Sequence, residues 1–455
     1  MAASPAIVWF RRDLRLGDHP ALLEAADRAG SAVALYVLDD ALRDRSGAPR
    51  LDFLYGCLRA LDDQLGGRLL VVHGDPVDAV PRVARAFGAG SVHVSADAGP
   101  YGRRRDERVE QALGDVELVR TGSPYAVTPG RVTKDDGTPF KVFTPFSRAW
   151  ARHGWRAPAS TSKSTVEWVD PGDKSGGPRR VRVPTAPAHS ATLPEPGERA
   201  ALEHWSDFLE GPLRDYKRDR DKPGVDGTSR MSAYLRWGCV HPRTLLADLA
   251  GHSGDGPDTY RTELAWRDFY ADVLWNQPRT ARENFNERFD AIEHDSGPHA
   301  DEHHRAWAEG RTGFPIVDAG MRQLLAEGWV HNRVRMIVAS FYAKDLHLPW
   351  WRGARHFMQH LVDGDLASNQ HGWQWTAGSG TDASPYFRVF NPTTQAEKFD
   401  PTGDYVRKYV PELRGIEGKK VHQPQDNPPN GYPTPIVDHA HERQVALDRY
   451  NKIKA

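Results

Sequence analysis

Residues Leu69–Ser95 read LLVVHGDPVDAVPRVARAFGAGSVHVS, with two short apolar runs on either side of a helix-like segment. The runs, Leu69–His73 and Ser91–Ser95, are β-branched and almost continuously apolar. Parallel strands that are buried on both faces have this composition. Pro76–Phe87, between them, has the pattern of a helix. This stretch therefore predicts two strands of a parallel sheet joined by a helix.

The same alternation extends over the rest of the first 130 residues. Further strands are predicted at Ile7–Phe10, Ala32–Leu38 and Val116–Arg120. Further helices are predicted at Pro20–Ala29, Leu51–Leu65 and Arg103–Leu113. A repeated strand–helix order over this length is typical of a doubly wound parallel sheet in an α/β domain.

The pattern changes beyond this region. Residues 156–200 contain seven Pro and four Gly, which excludes long helices and central strands there. Helical patterns follow at Leu202–Leu213, Ser229–Trp237, Pro242–Leu249, Tyr260–Asn276, Val317–Glu327, Asn332–Lys344 and Trp351–Val362. We therefore predict an α/β domain over residues 1–130, a connector over 131–200 and a large all-α domain over 201–455.

Composition narrows the functional class. The chain has 455 residues, a net charge of −1 and two cysteines, Cys57 and Cys239, at no metal-binding spacing. We expect neither a disulfide framework nor a secretory signal nor a membrane span, and we expect a reducing cytosol. Ten of the 14 tryptophans lie after residue 200, which suits either a large aromatic core or stacking on flat ligands.

Residues 260–270, YRTELAWRDFY, place four functional side chains on one helical face. Glu263, Trp266, Arg267 and Tyr270 stand at positions i, i+3, i+4 and i+7. A surface Glu–Arg pair beside a core tryptophan is the plain structural alternative.

A second segment, residues 328–336, reads GWVHNRVRM. On a helix, Trp329, Asn332 and Met336 share one face. From residue 331 to 360 there are five Lys or Arg against one Asp, a local basic patch of the kind that phosphate binding needs. A solvated basic face is the alternative.

The third segment, residues 363–375, reads DGDLASNQHGWQW. Asp365, Asn369 and Trp373 recur every four residues, so helical spacing holds Asn369 over one site. Buried acids need cationic partners, and Arg335 is the predicted partner of Asp363. In an extended backbone, Trp373 and Trp375 would point to opposite sides.

Two weaker signals remain. The segment GTSRMS at 227–232 opens a helical run and could form either an anion site or a simple helix cap. Two histidine groups, His299 with His303 and His304, and His356 with His360, have no third partner at a diagnostic metal-binding spacing. We interpret these histidines as structural or solvent-exposed.

Together these segments resemble the cryptochrome/photolyase family, and specifically its class I cyclobutane pyrimidine dimer photolyases. The blocks WFRRDLRL at 9–16, GTSRMS, ELAWRDFY, GRTGFPIVDAGMRQL, HNRVRM, DGDLASN and GWQW follow the family's order. The resemblance spans essentially the whole chain and implies a DNA-repair lyase that binds FAD in its helical domain.

The resemblance also implies roles for individual residues. The FAD diphosphate would be held by Tyr216, Thr228, Ser229, Arg230, Met231 and Ser232. The remainder of FAD would be surrounded by Glu263, Trp266, Arg267, Asn332, Arg335, Asp363, Asp365 and Asn369. Asn369 would face flavin N5, and asparagine at this position is similar to the photolyase pattern that favours reduced flavin.

The lesion side follows from the same resemblance. A dimer flipped out of the duplex would stack on Trp266 and Trp375, with Glu263 and Asn332 at the base edges and Met336 beside the cyclobutane ring. Phosphate contacts would come from Arg220, Arg333 and Lys398. The (6-4) photolyases carry His where this chain has Asn332 and Met336, which favours cyclobutane dimers.

Light-driven reduction of the family's FAD uses a chain of three tryptophans. Trp373 fits the position next to the flavin and Trp350 the middle one. The segment that usually holds the outer tryptophan, residues 294–300, has none. Either another residue, such as Trp351 or Trp307, ends the path, or photoreduction is slow. We predict that Trp373→Phe abolishes photoreduction without abolishing repair by chemically reduced protein.

Three further expectations complete the prediction. A second, antenna chromophore is implied, either methenyltetrahydrofolate or a deazaflavin. A monomer acting on UV-damaged nucleoid DNA in the cytoplasm is the expected working form. The alternative function is a cryptochrome-type photoreceptor without repair activity, which Asn369 argues against.

Overall fold

The computed structural model describes residues 4–172, 177–382, 387–424, 429 and 431–454, and the chain divides into two compact units. The first unit comprises the chain up to residue 189 together with 194–214 and 229–278. The second comprises 190–193, 215–228 and the chain from 279 onward. Within the predicted connector, residues 173–176 lie outside the described residues. The predicted three-part division into domains stays a prediction.

A parallel β-sheet forms the centre of the α/β part of the first unit. Its strands are β1 Ala6–Phe10, β2 Ser31–Leu38, β3 Leu69–His73, β4 Ser91–Val94, β5 Glu117–Arg120 and β6 Glu167–Trp168. The order is β3-β2-β1-β4-β5, and the short β6 pairs with the start of β2. The chain moves outward from β1 in one direction and then crosses to the other side, which confirms the doubly wound sheet.

Continuous apolar strands explain why the sheet is buried on both faces. All five residues of β1 are buried, and Ile7 pairs with Val33 of β2 and Val92 of β4. These side chains belong to one hydrophobic core with residues from the covering helices, such as Val80. Burial of this kind is the main stabilising term for such a sheet.

Some helices of the first unit cover the sheet, and the others form a helical part of the same unit. They are α1 Pro20–Ala29, α2 Asp40–Arg43, α3 Ala48–Gln64, α4 Pro76–Phe87, α5 Pro100–Leu113, α6 Phe143–His153, α7 Glu198–Glu210, α9 Ser232–Trp237, α10 Pro242–Leu249 and α11 Asp255–Asn276. Local capping fixes their ends. In α4, Asp75 accepts a hydrogen bond from the Val77 amide, and Gly88 ends the helix with φ of 61°.

Helix α6 was not predicted, although its apolar residues recur at helical spacing. Phe143, Phe146 and Trp150 are all buried. The helix falls within the predicted connector, whose Pro- and Gly-rich composition further along the chain argues against helices. Pro145 lies in the first turn, where it removes no intrahelical hydrogen bond, so it does not prevent the helix.

The two cysteines meet in the first unit despite their separation in sequence. The Cys57 and Cys239 sulfur atoms are 3.5 Å apart, and both residues are buried and free. Their contact joins α3 to the turn after α9.

Among its described residues, the second unit contains helices and connecting segments but no β-strand. Its helices are α8 Tyr216–Asp219, α12 Pro298–Ala308, α13 Pro315–Glu327, α14 Asn332–Ser340, α15 Trp350–His360, α16 Leu366–Ala377, α17 Pro392–Phe399, α18 Asp404–Tyr409 and α19 His439–Lys454. Their core contains Trp307, Trp350 and Trp373. Tryptophan enrichment therefore reflects an aromatic core, at least for these three residues.

The helix predicted at Asn332–Lys344 is shorter than expected. The α-helical part ends at Ser340, and a single turn of π-helix follows over Phe341–Asp345. In that turn the Leu346 amide donates to the Phe341 carbonyl oxygen. Such turns occur frequently at functional sites.

Among the described residues, no helix combines the length and the apolar character that crossing a membrane requires.

Candidate flavin and lesion site

Helix α11 presents the predicted face in the first unit. Glu263, Trp266, Arg267 and Tyr270 are all partly buried, whereas the neighbouring Phe269 is fully buried. The spacing therefore gives one partly accessible face, as predicted. The side chains of this face are held by contacts that differ in kind.

Trp266 is held by aromatic stacking. Its ring lies 3.6 Å from the Phe143 ring, with 7° between the two planes. Tyr270 packs against the same indole at 5.4 Å. Stacking on Phe143 covers one face of the indole and fixes the plane of the ring. Sequence reasoning missed Phe143 because α6 was not predicted.

Arg267 is held by backbone carbonyl groups. Its guanidinium donates to the Pro124 oxygen at 2.7 Å and to the Leu235 oxygen at 3.1 Å, and it lies over the Tyr125 ring at 4.5 Å. A guanidinium has five donors, so these two bonds fix its position without using all its capacity.

The segment GTSRMS is not helical up to Met231, and only its last residue, Ser232, belongs to a helix. Helix α9 begins only at Ser232, so the predicted helix over Ser229–Trp237 is too long by one turn. The Ser229 hydroxyl lies 2.8 Å from the Tyr260 hydroxyl and accepts from the Met231 amide at 3.4 Å. Arg230 has φ of 46°, and this left-handed residue is what delays the helix.

In the second unit, α14 begins at Asn332. The His331 ring accepts a hydrogen bond from the Arg333 amide at 3.2 Å and caps the helix. Asn332 is exposed, and Met336 is partly buried one turn later. Trp329 precedes the helix, so its predicted place on the same helical face is wrong.

The predicted ion pair between Arg335 and Asp363 is present. One Arg335 nitrogen lies 2.8 Å from Asp363 Oδ2, and another donates to the Val330 carbonyl at 2.7 Å. Asp363 is 7% exposed, and its Oδ1 has no hydrogen-bond partner within the described part of the chain. A buried carboxylate oxygen without a partner is costly, so this atom is suited to a ligand hydroxyl or N–H group.

Asp365 has a structural role at the start of α16. Its Oδ1 accepts from the Ser368 amide at 3.1 Å and so caps the helix. Asp363 and Asp365 therefore have different roles, because the first pairs with Arg335 and the second caps a helix.

Asn369, one turn into α16, has a fixed amide orientation. Its Nδ2 donates to the Ala354 carbonyl at 3.1 Å and to Gln370 Oε1 at 2.9 Å. The Gln370 amide is itself fixed, because its Nε2 donates to the Ala281 carbonyl at 2.7 Å. Since backbone carbonyl groups only accept, both amides have one satisfactory orientation. The Asn369 carbonyl oxygen is therefore the atom that remains for a ligand.

Trp373 and Trp375 lie on the helix α16, not on extended backbone. Trp373 is buried, and its Nε1 has no hydrogen-bond partner among the described residues. Trp375 is partly buried and donates to the Asp382 carbonyl at 3.1 Å. Gly353 of α15 makes room for Trp373, because an added Cβ would lie 2.3 Å from its ring.

Trp373 packs among three aromatic rings. The centroids of Phe357, Tyr342 and Trp307 lie 5.1, 5.6 and 5.9 Å from its own. Sequence reasoning did not single out Tyr342, which sits in the unpredicted π-turn.

Trp350, the predicted middle member of the tryptophan chain, is buried and donates to Asn284 Oδ1 at 2.9 Å. It contacts Trp351 at a centroid distance of 5.9 Å. Trp351 is 39% exposed and therefore reaches solvent.

The predicted phosphate-binding cations differ in availability. Arg333 already pairs with Asp221 at 2.9 Å and lies over the Phe399 ring at 4.3 Å. Lys398 is exposed, with its amine 5.1 Å from the same ring. In the same unit, Arg220 is partly buried and lies 5.7 Å from the ring of Tyr216, which is buried.

Comparisons with known proteins agree with the family resemblance. A family model described as DNA photolyase matches residues 6–163, and one described as the FAD binding domain of DNA photolyase matches residues 260–452. The chain is 43% identical to the deoxyribodipyrimidine photo-lyase of Streptomyces griseus, over 97% of this chain and 98% of the relative.

Solved structures extend the likeness to the fold. A class III photolyase from Agrobacterium tumefaciens superposes with a TM-score of 0.90 at 35% identity, over 100% of this chain and 98% of that one. A cryptochrome from Synechocystis sp. PCC6803 superposes with a TM-score of 0.89 at 27% identity, over 98% and 100% of the two chains. The chain is thus a member of the DNA photolyase family, with that family's FAD-binding domain.

Proposed function

We propose that the protein repairs cyclobutane pyrimidine dimers in DNA by light-driven electron transfer from reduced FAD. Bound FAD supplies the photoexcited electron donor, and the protein supplies position, hydrogen bonds and exclusion of water. The fixed amide of Asn369 is the observation that carries the proposal. Its carbonyl oxygen can accept from the N5–H group of reduced flavin, whereas oxidised flavin has no hydrogen on N5 to donate.

Several side chains, each described within its own unit, offer groups that a flavin can bind. Asp363 offers a buried acceptor without a partner, and Arg335 balances its charge. Arg267 offers further donors from a fixed position. The diphosphate would be held by Tyr216 and the turn at Thr228–Ser232. Asp365 would act indirectly, because it caps the start of α16, the helix that carries Asn369.

For the lesion, we assign the α11 face to base recognition. Glu263 would accept hydrogen bonds from a base edge, and Trp266 would stack on the base. In the second unit, Asn332 would hydrogen-bond a base edge and Met336 would lie beside the cyclobutane ring. Trp375 would stack on the dimer. Extrusion of a dimer costs a few kcal/mol, and less than for an undamaged step.

We assign the DNA backbone to Arg220, Arg333 and Lys398. Lys398 is available as it stands, because it is exposed. Arg333 would have to exchange its partner Asp221 for a phosphate. A charge-assisted bond to phosphate can replace the bond to a carboxylate in the same geometry.

We further propose that the protein works as a monomer on cytoplasmic nucleoid DNA, with a second chromophore as antenna. Repair requires one flavin and one lesion, which a single chain supplies. The antenna is methenyltetrahydrofolate or a deazaflavin.

A cryptochrome-type photoreceptor is the second candidate, because a cryptochrome superposes closely on this chain. Lesion recognition separates the two functions. The experiment measures binding in the dark, by fluorescence anisotropy, to an oligonucleotide with one thymine dimer and to its undamaged counterpart. We expect a clear preference for the dimer, and we expect Glu263→Ala to reduce it roughly ten-fold, the effect of one lost hydrogen bond.

Asp258→Asn is the matched control, because Asp258 is an exposed acid of the same helix paired with Arg261. It should bind like the wild type. Equal affinity of the FAD-loaded wild type for damaged and undamaged DNA would contradict the repair function and favour the photoreceptor.

A further inference from the structure

Tyr342 is the one ring neighbour of Trp373 in the described aromatic cluster that carries an ionisable hydroxyl. Its ring is perpendicular to the Trp373 indole, with centroids 5.6 Å apart. The residue is fully buried in the π-turn after α14. Burial raises the pKa of its phenol, so Tyr342 is neutral and protonated at rest.

The phenol is hydrogen-bonded to an imidazole, which can accept a proton. Tyr342 and His304 Nδ1 of α12 are joined by a hydrogen bond of 2.9 Å. The pKa of His304 is lowered to about 4, mainly by burial; the charges of Arg352 and Arg305 act in the same direction, and Asp301 opposes them. His304 is therefore a neutral imidazole near pH 7 and can receive a proton.

The other ring donors near this path have partners that are not bases. Trp307 donates its N–H to the Val338 carbonyl at 3.1 Å. Trp350 donates to the Asn284 side-chain amide. Neither oxygen accepts a proton at neutral pH, so an oxidised Trp307 or Trp350 would stay a cation.

We propose that Tyr342, with His304 as its proton acceptor, is an electron donor that ends a photoreduction path beginning at Trp373. The inference rests on the proposed role of Trp373 beside the flavin. One electron passes from Tyr342 to the oxidised Trp373, and the phenolic proton moves to His304 Nδ1. The products are a neutral tyrosyl radical, a restored Trp373 and a histidine cation.

This arrangement accounts for the missing outer tryptophan. Loss of the proton from the phenol keeps the positive charge away from Trp373 and slows its return. The charge then lies on His304, which faces the ion pair of Arg352 with Asp301 and the neutral ring of His356.

The test uses the purified, FAD-loaded protein with oxidised flavin and no added reductant. A blue flash is followed by transient absorption and by electron paramagnetic resonance, which distinguish tyrosyl from tryptophanyl radicals. We expect a tyrosyl radical in the wild type, with formation slowed in D₂O. We expect Tyr342→Phe to leave only a tryptophanyl radical that recombines faster and lowers the yield of reduced flavin several-fold.

His304→Gln is the second variant, because an amide can hold the phenol in place but cannot take its proton. It should lose the tyrosyl signal and the solvent isotope effect although Tyr342 remains. Tyr405→Phe is the control for a buried tyrosine, since Tyr405 donates to Gln323 at 2.7 Å, and it should keep both signals.

The outcomes separate this inference from the proposed function. A wild type with flavin reduction but only tryptophanyl radicals would overturn the role of Tyr342 and leave the repair function intact. An unchanged tyrosyl signal in Tyr342→Phe or His304→Gln would do the same. Undiminished photoreduction in Trp373→Phe would overturn the donor role of Trp373, and this inference with it.

Discussion

At the residue scale, the neighbours of an amide decide what it offers to a ligand. Asn369 gives both N–H groups to acceptors whose own orientation is fixed by the backbone. Its oxygen is left for a donor. Aspartate is nearly the same shape but has no hydrogen to give, so at this position the two residues are not equivalent.

Asn369→Asp should therefore destabilise the protein even without flavin. The carboxylate would face the Ala354 carbonyl and Gln370 Oε1, both acceptors. The substitution removes both hydrogen bonds and sets a negative charge against acceptor oxygens, which costs about 1–3 kcal/mol. Urea denaturation of the flavin-free protein measures the loss.

The control is the same substitution at Asn391, which caps α17 by accepting from the Thr394 amide. An aspartate there still accepts and suits the positive end of the helix, so stability should be unchanged or slightly higher. Equal stability of Asn369→Asp and the wild type would contradict the assigned amide orientation.

At the scale of elements, the contact between α15 and α16 fixes Trp373. Gly353 lies against the Trp373 ring, and an alanine there would overlap it. We predict that Gly353→Ala lowers the free energy of unfolding by about 1–3 kcal/mol and slows photoreduction, because Trp373 has to shift.

Gly372→Ala is the matched control on α16. Apart from its chain neighbours and its own helix backbone, no atom lies within 4 Å of an added Cβ, so the variant should gain up to about 1 kcal/mol from higher helix propensity. Thermal unfolding and flash photoreduction measure both effects. A stable Gly353→Ala with normal photoreduction would show that Trp373 is not held at this contact.

Helix α11 is joined to the loop after β5 by a buried acid. Asp268 Oδ2 accepts from the Val127 amide and from the Trp150 indole, each at 2.9 Å. Burial raises its pKa from 3.8 to about 6, although these hydrogen bonds and the Arg267 charge act in the opposite direction. The folded protein therefore binds more protons than the unfolded chain between these pH values.

The sign of the pH dependence follows. Stability from Asp268 is fully present below pH 3.8 and is lost as the pH rises to about 6. Relative to Asp268→Asn, the free energy of unfolding of the wild type should fall by up to about 3 kcal/mol across this window. Urea titrations at a series of pH values measure the difference. Asp27→Asn, at an exposed site of α1, is the control and should show no such pH trend. If the free energy of unfolding of the wild type rose relative to that of Asp268→Asn across this pH window, the raised pKa would be contradicted.

At the scale of the whole molecule, the sequence was most informative where burial is repetitive. Continuous apolar strands predicted the sheet, and the bounds of α1, α4 and α10 agree with prediction. Among other elements, the prediction missed α6, α12 and the π-turn of Phe341–Asp345. Both α6 and the π-turn depend on packing against distant elements, which local periodicity does not report.

In the candidate site, too, local patterns were predictable from the sequence and contacts between distant residues were not. Periodicity placed Glu263, Trp266, Arg267 and Tyr270 on one face, and charge balance predicted the partner of Asp363. Periodicity could not find Phe143 behind Trp266 or His304 beside Tyr342, because these pairs join residues far apart in the chain. The class I assignment stays a prediction, since a class III photolyase is among the similar structures.

Light-dependent repair tests the proposed function of the molecule most directly. The FAD-loaded protein is chemically reduced, mixed with an oligonucleotide that carries one cyclobutane thymine dimer, and either illuminated with near-ultraviolet to blue light or kept dark. We predict that the dimer is converted to two thymines in the light and remains intact in the dark. A protein that holds reduced FAD and binds the dimer but leaves it intact under illumination would contradict the repair function.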